Sequence, residues 1–271
     1  MRGGRRHMPY APPSPSLHPD QESAMRRFFI LTKAMFLVYL RERSTLFWNF
    51  AFPVFLLVIY AAVFGGDNLA GFMSWMVPGV LAINILAFGL ISSATMMTEF
   101  RQKGVLRRLQ ASPVPTLTLV GAYILVNVAI AVLQAALVVA VAMTFYGLKM
   151  PAANLLLALP MVLLSVLMSV ALGQVVSGLA PGSGGAVAIG QILYFGQMFI
   201  ADLILPIEQM PDWIQKVGPW LPGYAIAQLV RPPLQSGALS PDFAVNLLLA
   251  LVYGAAAALL AARLFKWEAR N

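Results

Sequence analysis

Apolar residues run through most of this chain without the alternation of a half-buried strand or the one-sided stripe of a soluble helix. Six runs are long enough to predict membrane-spanning helices, near residues 50–64, 73–98, 116–146, 154–178, 184–205 and 242–264. The first is short for a hydrocarbon core about 30 Å thick, so its helix should begin within 46–50. The second and third are long, which predicts tilt or projection beyond the bilayer. The fourth and fifth are joined only by Leu-Ala-Pro-Gly-Ser-Gly-Gly, where Pro181 and the glycines break the helix.

Three other stretches frame these runs. Residues 25–49 interleave Arg26, Arg27, Lys33, Arg41 and Arg43 with Phe28, Phe29, Leu31, Met35, Phe36, Leu37 and Leu40. This is the pattern of a basic amphipathic helix lying in the membrane interface, with Trp48 at the headgroup boundary. Residues 206–236 are too interrupted by proline to cross as one helix and too apolar for a free loop. They predict two short helices, 210–217 and 223–230, as a lid on the bundle or a re-entrant pair. Lipid tolerates a re-entrant backbone only where it is buried in protein or lines a wet cavity. Residues 1–24 carry five prolines and no apolar run, which predicts a disordered extension. Met25 offers an alternative start.

Composition excludes a soluble domain. Apolar residues make up 60% of the chain and charged residues 10%, with mean hydropathy +0.79, where soluble domains hold about 25% charged. The predicted class is an all-α polytopic membrane protein with one transmembrane domain over 25–271. Cysteine is absent, which removes disulfides, thiol catalysis and thiolate metal sites. The net charge of +8 has a topological cause. With six spans, 15 of the 18 basic residues share a side with both termini and the 99–115 loop, leaving Lys149, Lys216 and Arg231 opposite. The basic-residue rule makes the richer side cytoplasmic and places 206–236 outside. No nucleic-acid partner is implied.

No phosphate-binding loop GxxxxGK[ST] and no HExxH occurs, and His7 and His18 lie in the leading segment. No catalytic, cofactor-binding or metal site is expected. Energy for transport would come from a separate ATPase, an ion gradient, or nothing. Ion-coupled carriers keep ionisable groups within their spans. Here Asp202 is the exception, read as a carboxylate at the outer interface. The spans instead carry amides: Asn84, Asn127, Gln134, Gln174, Gln191 and Gln197. Each either bonds between helices, worth about 0.6–2 kcal/mol, or lines a substrate path. Gln191 and Gln197 share their span with Gly190 and Gly196, small residues that suit close packing within the chain or at a dimer seam.

The densest charged phrase is residues 99–115, Glu-Phe-Arg-Gln-Lys-Gly-Val-Leu-Arg-Arg-Leu-Gln-Ala-Ser-Pro-Val-Pro. It reads as a short helix with Val105, Leu106 and Leu109 on one side and Glu99 four residues before Lys103. Taken alone, it is either a solvated loop that sets topology or a docking element. The phrase resembles the first cytoplasmic loop of the type-2 ABC exporter permeases, and the likeness extends over 26–271. In 206–236, the order Pro, acid, Met-Pro, Trp, Leu-Pro is similar to the family's short helices before the last span.

That resemblance implies an export subunit of a prokaryotic plasma membrane that pairs with a second copy or a close relative. Cytoplasmic ATPase subunits holding ATP and magnesium would meet the loop and the interface helix. Glu99, Arg101, Lys103, Arg107 and Arg108 would make polar contacts. Leu106 and Leu109 would dock apolar surface, and Gly104 and Pro113 would shape and end the helix. The loop phrase is closer to the drug, antibiotic and lipid exporters than to the polysaccharide exporters. The alternative is an ATP-independent carrier or channel.

The basic-residue asymmetry predicts that a cysteine placed at Gln215 is modified by impermeant reagents from outside the cell, and one at Arg108 only from within. Labelling of Gln215→Cys solely from the cytoplasm contradicts this topology.

Overall fold

A computed structural model describes residues 20–110 and 116–264, and among them every regular element is helical. Six helices are long and apolar enough to span a membrane: Phe47–Phe64, Leu69–Gln102, Thr118–Phe145, Ala152–Leu179, Ser183–Ile200 and Phe243–Leu264, called spans 1 to 6. The six expected runs are all present. Span 1 begins at Phe47, within the stretch anticipated for it.

An amphipathic helix, Asp20–Arg41, precedes them and packs along span 3. Its start at Asp20 takes residues 20–24 out of the leading segment, whose remainder, 1–19, lies outside the described residues. Met35 and Tyr39 are buried, whereas Arg26, Arg27, Phe29, Ile30 and Lys33 are exposed. The basic and apolar outer surface suits the headgroup boundary.

Span 2 is the central helix. Of its most apolar window 67% is buried, against 17% for spans 1, 5 and 6. Asn68 caps its start by accepting from the Gly71 N–H at 3.1 Å. Midway, Phe88–Ser93 form a π-helical turn. Such turns concentrate at functional sites and mark local departures from the regular ladder. Here the neighbours leave no room for side chains. A methyl group at Gly89 would meet the Ser169 backbone in span 4, one at Gly173 the Gly89 carbonyl, and one at Gly190 in span 5 the Leu90 carbonyl. Spans 4 and 5 therefore grip span 2 at its π turn through bare backbone.

Spans 4 and 5 part where proline dictates. The Pro181 ring excludes the α region for its predecessor, and Ala180 is extended at φ −69°, ψ 135°. Span 5 ends at Ile200, earlier than the expected 205, because Ala201 leaves the helix and Asp202 turns left-handed at φ 57°. Two helices follow, Asp212–Val217 and Pro222–Ser236. The second runs past the expected Val230 despite Pro232 and Pro233. It ends at Gly237, whose φ of 67° supplies the left-handed cap. Pro222–Ser236 packs on spans 2, 4 and 6, so this stretch is built into the bundle.

The glycine contacts predict unequal effects of one chemical change. Gly173→Ala drives a methyl group into the Gly89 carbonyl and should lower the melting temperature in detergent, an overpacking effect of about 1–3 kcal/mol. Gly196→Ala, with open space at the same position, should leave it unchanged. Equal melting of both variants contradicts the close approach.

Candidate coupling site

The charged phrase resolves into two elements. Span 2 continues to Gln102, and a separate helix covers Val105–Gln110. Gly104 joins them at φ 67°, a left-handed conformation that glycine adopts without penalty. Its N–H donates to the Arg101 carbonyl at 3.1 Å, and its own carbonyl accepts from the Arg108 N–H at 3.1 Å. The short helix is thus held at a defined angle to span 2.

The expected contact residues divide into two sets. Glu99 and Lys103 form an ion pair at 2.6 Å, with the Lys103 side chain 65% exposed. The Glu99 carboxylate holds the ammonium above the usual lysine range. Arg108 is exposed and donates to the Lys103 carbonyl at 3.0 Å. Arg101 and Leu106 point the other way. Leu106 is 1% exposed and belongs to the chain's own core, so it offers no surface for a partner. Arg101 is 7% exposed. Its Nη1 donates to the Ser177 carbonyl at 3.1 Å and its Nη2 to the Ala180 carbonyl at 2.8 Å. These belong to the last turn of span 4 and the residue after it, where helix carbonyls lack intrahelical partners and the dipole favours a cation. Arg107 and Leu109 side chains, and Pro113, lie outside the described residues.

Gln102 adds a second tie. Its Oε1 accepts the Ser183 N–H at 3.2 Å, at the start of span 5. Deeper in the bundle, Thr98 donates to Ser177 Oγ at 3.0 Å. One turn further, Tyr123 of span 3 donates to the Ser93 carbonyl at 2.9 Å, and Gln174 of span 4 donates to Ser93 Oγ at 2.9 Å. The half of span 2 from its π turn to Gln102 is therefore bonded to spans 3, 4 and 5.

The amides read as path or seam residues do not share one lining. Asn84 is buried and donates to the Val80 carbonyl of its own helix at 2.7 Å. Gln134 is buried in span 3, whereas Gln191 is on the exposed face of span 5 with Ile192 and Phe195. Gln197 is committed within the chain, accepting the Gly223 N–H at 2.8 Å.

At the opposite end lies a cluster that sequence reading missed. Asp202, expected at the interface, is 5% exposed and pairs with the equally buried Arg231 at 2.5 Å. Arg231 Nη2 also donates to the Asp202 carbonyl at 2.7 Å, and Gln228 donates to Asp202 Oδ2 at 3.1 Å. Asp202 Oδ1 accepts the Ile207 N–H at 3.1 Å. The guanidinium lies 5.2 Å from the centre of the Trp75 ring in span 2. The signal was present as two opposite charges, each isolated in an apolar stretch, 29 positions apart. Removing one partner of a buried pair strands the other charge, at a cost of about 3–5 kcal/mol. Asp202→Asn and Arg231→Met should each lower the melting temperature, and the double variant should recover part of the loss. Additive losses contradict the pairing.

The comparisons with known proteins agree with this architecture. The family model described as "ABC-2 type transporter" matches residues 26–233, from within the amphipathic helix to within the Pro222–Ser236 helix. Nodulation protein J of Sinorhizobium fredii (strain NBRC 101917 / NGR234) is 26% identical over 201 residues, covering 70% of this chain and 74% of that protein. The family match over most of the chain, together with the six spans, leads to one assignment: the chain belongs to the ABC-2 type transporter family and is a multi-pass membrane permease subunit of an ABC transporter.

Proposed function

We propose that this permease is the translocating half of an ATP-driven exporter in a prokaryotic plasma membrane. A separate cytoplasmic ATPase binds ATP and magnesium and docks on the strip formed by the end of span 2 and Val105–Gln110. Both termini and that strip face the cytoplasm. Two copies, or this chain and a close relative, enclose the pathway.

The observation that carries this reading is the division of the charged strip. Lys103 and Arg108 stand exposed on a backbone that Arg101, Leu106 and Gly104 fix to the bundle. A loop that served topology alone requires the charges but no such anchoring. A pre-ordered surface loses less entropy when a partner binds, which favours docking.

Purified alone, the chain should not hydrolyse ATP, and co-expressed with its cognate ATPase it should co-elute with it. Lys103→Gln/Arg108→Gln leaves 13 of the remaining 16 basic residues on the same side, so insertion should be unaffected. Recovery of the complex should fall several-fold and become less sensitive to salt, as expected when exposed charges at an interface are removed. Unchanged recovery at every salt concentration contradicts docking on this strip. Transport by the permease without any ATPase supports the carrier reading instead.

A further inference from the structure

We infer that Arg101 and Gln102 are positioning residues that fasten the docking strip to the turn between spans 4 and 5, so that this turn moves with the strip during each ATPase cycle. The inference rests on the docking proposed above and adds the route by which movement enters the bundle.

Sequence order alone suggests another route. The strip is continuous with spans 2 and 3, so a push on it would be expected to travel along those two helices. The side chains add a cross-link. Arg101 reaches from span 2 to the Ser177 and Ala180 carbonyls, and Gln102 to the Ser183 N–H. These three acceptors and donors bracket the break at Pro181. Arg101 satisfies carbonyls at the end of span 4, and Gln102 satisfies an amide at the start of span 5. One dipeptide therefore bonds backbone groups at both helix ends.

The packing makes the connection stiff. A methyl group at Gly182 would lie 2.7 Å from Gln102 Nε2, so the turn sits directly on that side chain. Thr98 bonds Ser177 one turn deeper, and Gln174 bonds Ser93 beyond that. Span 2 and the inner half of span 4 are thus pinned at three successive levels. The rigid unit ends at the π turn Phe88–Ser93, where the regular ladder of span 2 is interrupted. Below that turn, span 2, span 4 and the start of span 5 form one lever. Above it lies the half of span 2 that carries Trp75 and contacts Arg231.

Arginine suits the role for a geometric reason. Its planar fork bonds two carbonyls at once and stays charged when buried. The Arg101 side chain is too enclosed to contact a partner, so its effect on the ATPase must pass through the turn.

The test uses the full chain in complex with its cognate ATPase in lipid nanodiscs. A single cysteine replaces Gly184, which is exposed and has open space around it. The chain has no other cysteine. The rate of labelling by a maleimide is compared between nucleotide-free complex and complex trapped with ATP, magnesium and vanadate. The parent should label at different rates in the two states. Compared at ATPase concentrations that saturate binding, Arg101→Met should lose that difference. Arg101→Lys, which keeps the charge but lacks the fork that spans both carbonyls, should retain only part of it. Gln102→Ala, an exposed change that leaves the core intact, should reduce it and serves as the second variant if Arg101→Met fails to fold.

Nucleotide-dependent labelling that survives in Arg101→Met and Gln102→Ala overturns the inference. So does a parent complex whose Gly184→Cys labelling never responds to nucleotide. Folded Arg101→Met that binds no ATPase even at saturating concentration would confine Arg101 to shaping the docking surface and overturn it as well. A parent chain that binds no ATPase refutes the proposed function itself, a separate and distinguishable outcome.

Discussion

In hydrocarbon a backbone N–H or C=O has no water to bond, so each group must find a partner within the protein. An unbroken helix meets this demand by itself. A chain that must also turn, bulge and re-enter cannot, and its breaks need donors and acceptors from elsewhere. The architecture of this permease follows from how those breaks are closed. Arg101 takes the carbonyls at the end of span 4, and Gln102 the amide that opens span 5. Arg231 takes the Asp202 carbonyl where span 5 ends, and Asp202 the Ile207 amide beyond it. Gln197 receives the Gly223 amide at the start of the long re-entrant helix. Tyr253 of span 6 donates to the Trp220 carbonyl just before that helix. Other polar side chains of the spans, such as Asn84 and Asn127, bond carbonyls of their own helix instead.

These closures also determine which helices move together. Because a break is satisfied from a different span, opening it would expose two sets of polar groups at once. The joints are therefore stiff where a break in the chain would suggest softness. Span 2 is at the centre because it meets both clusters: Arg101 and Gln102 lie at one end, and Trp75 and Gly79 contact Arg231 or its neighbours at the other. Between them its π turn is held against bare backbone of spans 4 and 5. A helix bound at both ends with an irregular turn in the middle is suited to pass movement from the strip proposed to dock the ATPase to the Pro222–Ser236 helix.

Hydropathy alone placed all six spans, since the ability of a stretch to enter lipid is a local property. The amphipathic helix and the re-entrant pair were legible for the same reason, from periodicity and proline spacing. What hydropathy does not carry is the identity of the neighbour. Arg101 lies in a basic run with Lys103 and Arg108, and nothing in its spacing tells a solvated head from one buried against a helix end. Leu106 and Leu109 mark an apolar side of a helix, but whether that side meets a partner or its own bundle is a tertiary fact; for Leu106 it is the bundle. Asp202 and Arg231 are far apart in the chain, and only the left-handed turn at Asp202 brings the carboxylate under the long helix. The charged phrase was thus legible as a group, while the surroundings of each side chain depended on packing.

The joint at Gly223 tests most directly whether side chains from other spans close these breaks. Amide hydrogen exchange in nanodiscs, resolved to 221–225, should be slow in the parent protein, because Gln197 accepts the Gly223 N–H at 2.8 Å. Gln197→Leu keeps an apolar side chain of similar size and removes the acceptor, so exchange at Gly223 should accelerate while spans 3 and 6 stay protected. Identical exchange at Gly223 in the two proteins would mean that the break is closed by burial in lipid or by the local backbone. The account of the fold as helices joined through side-chain closures would then be wrong.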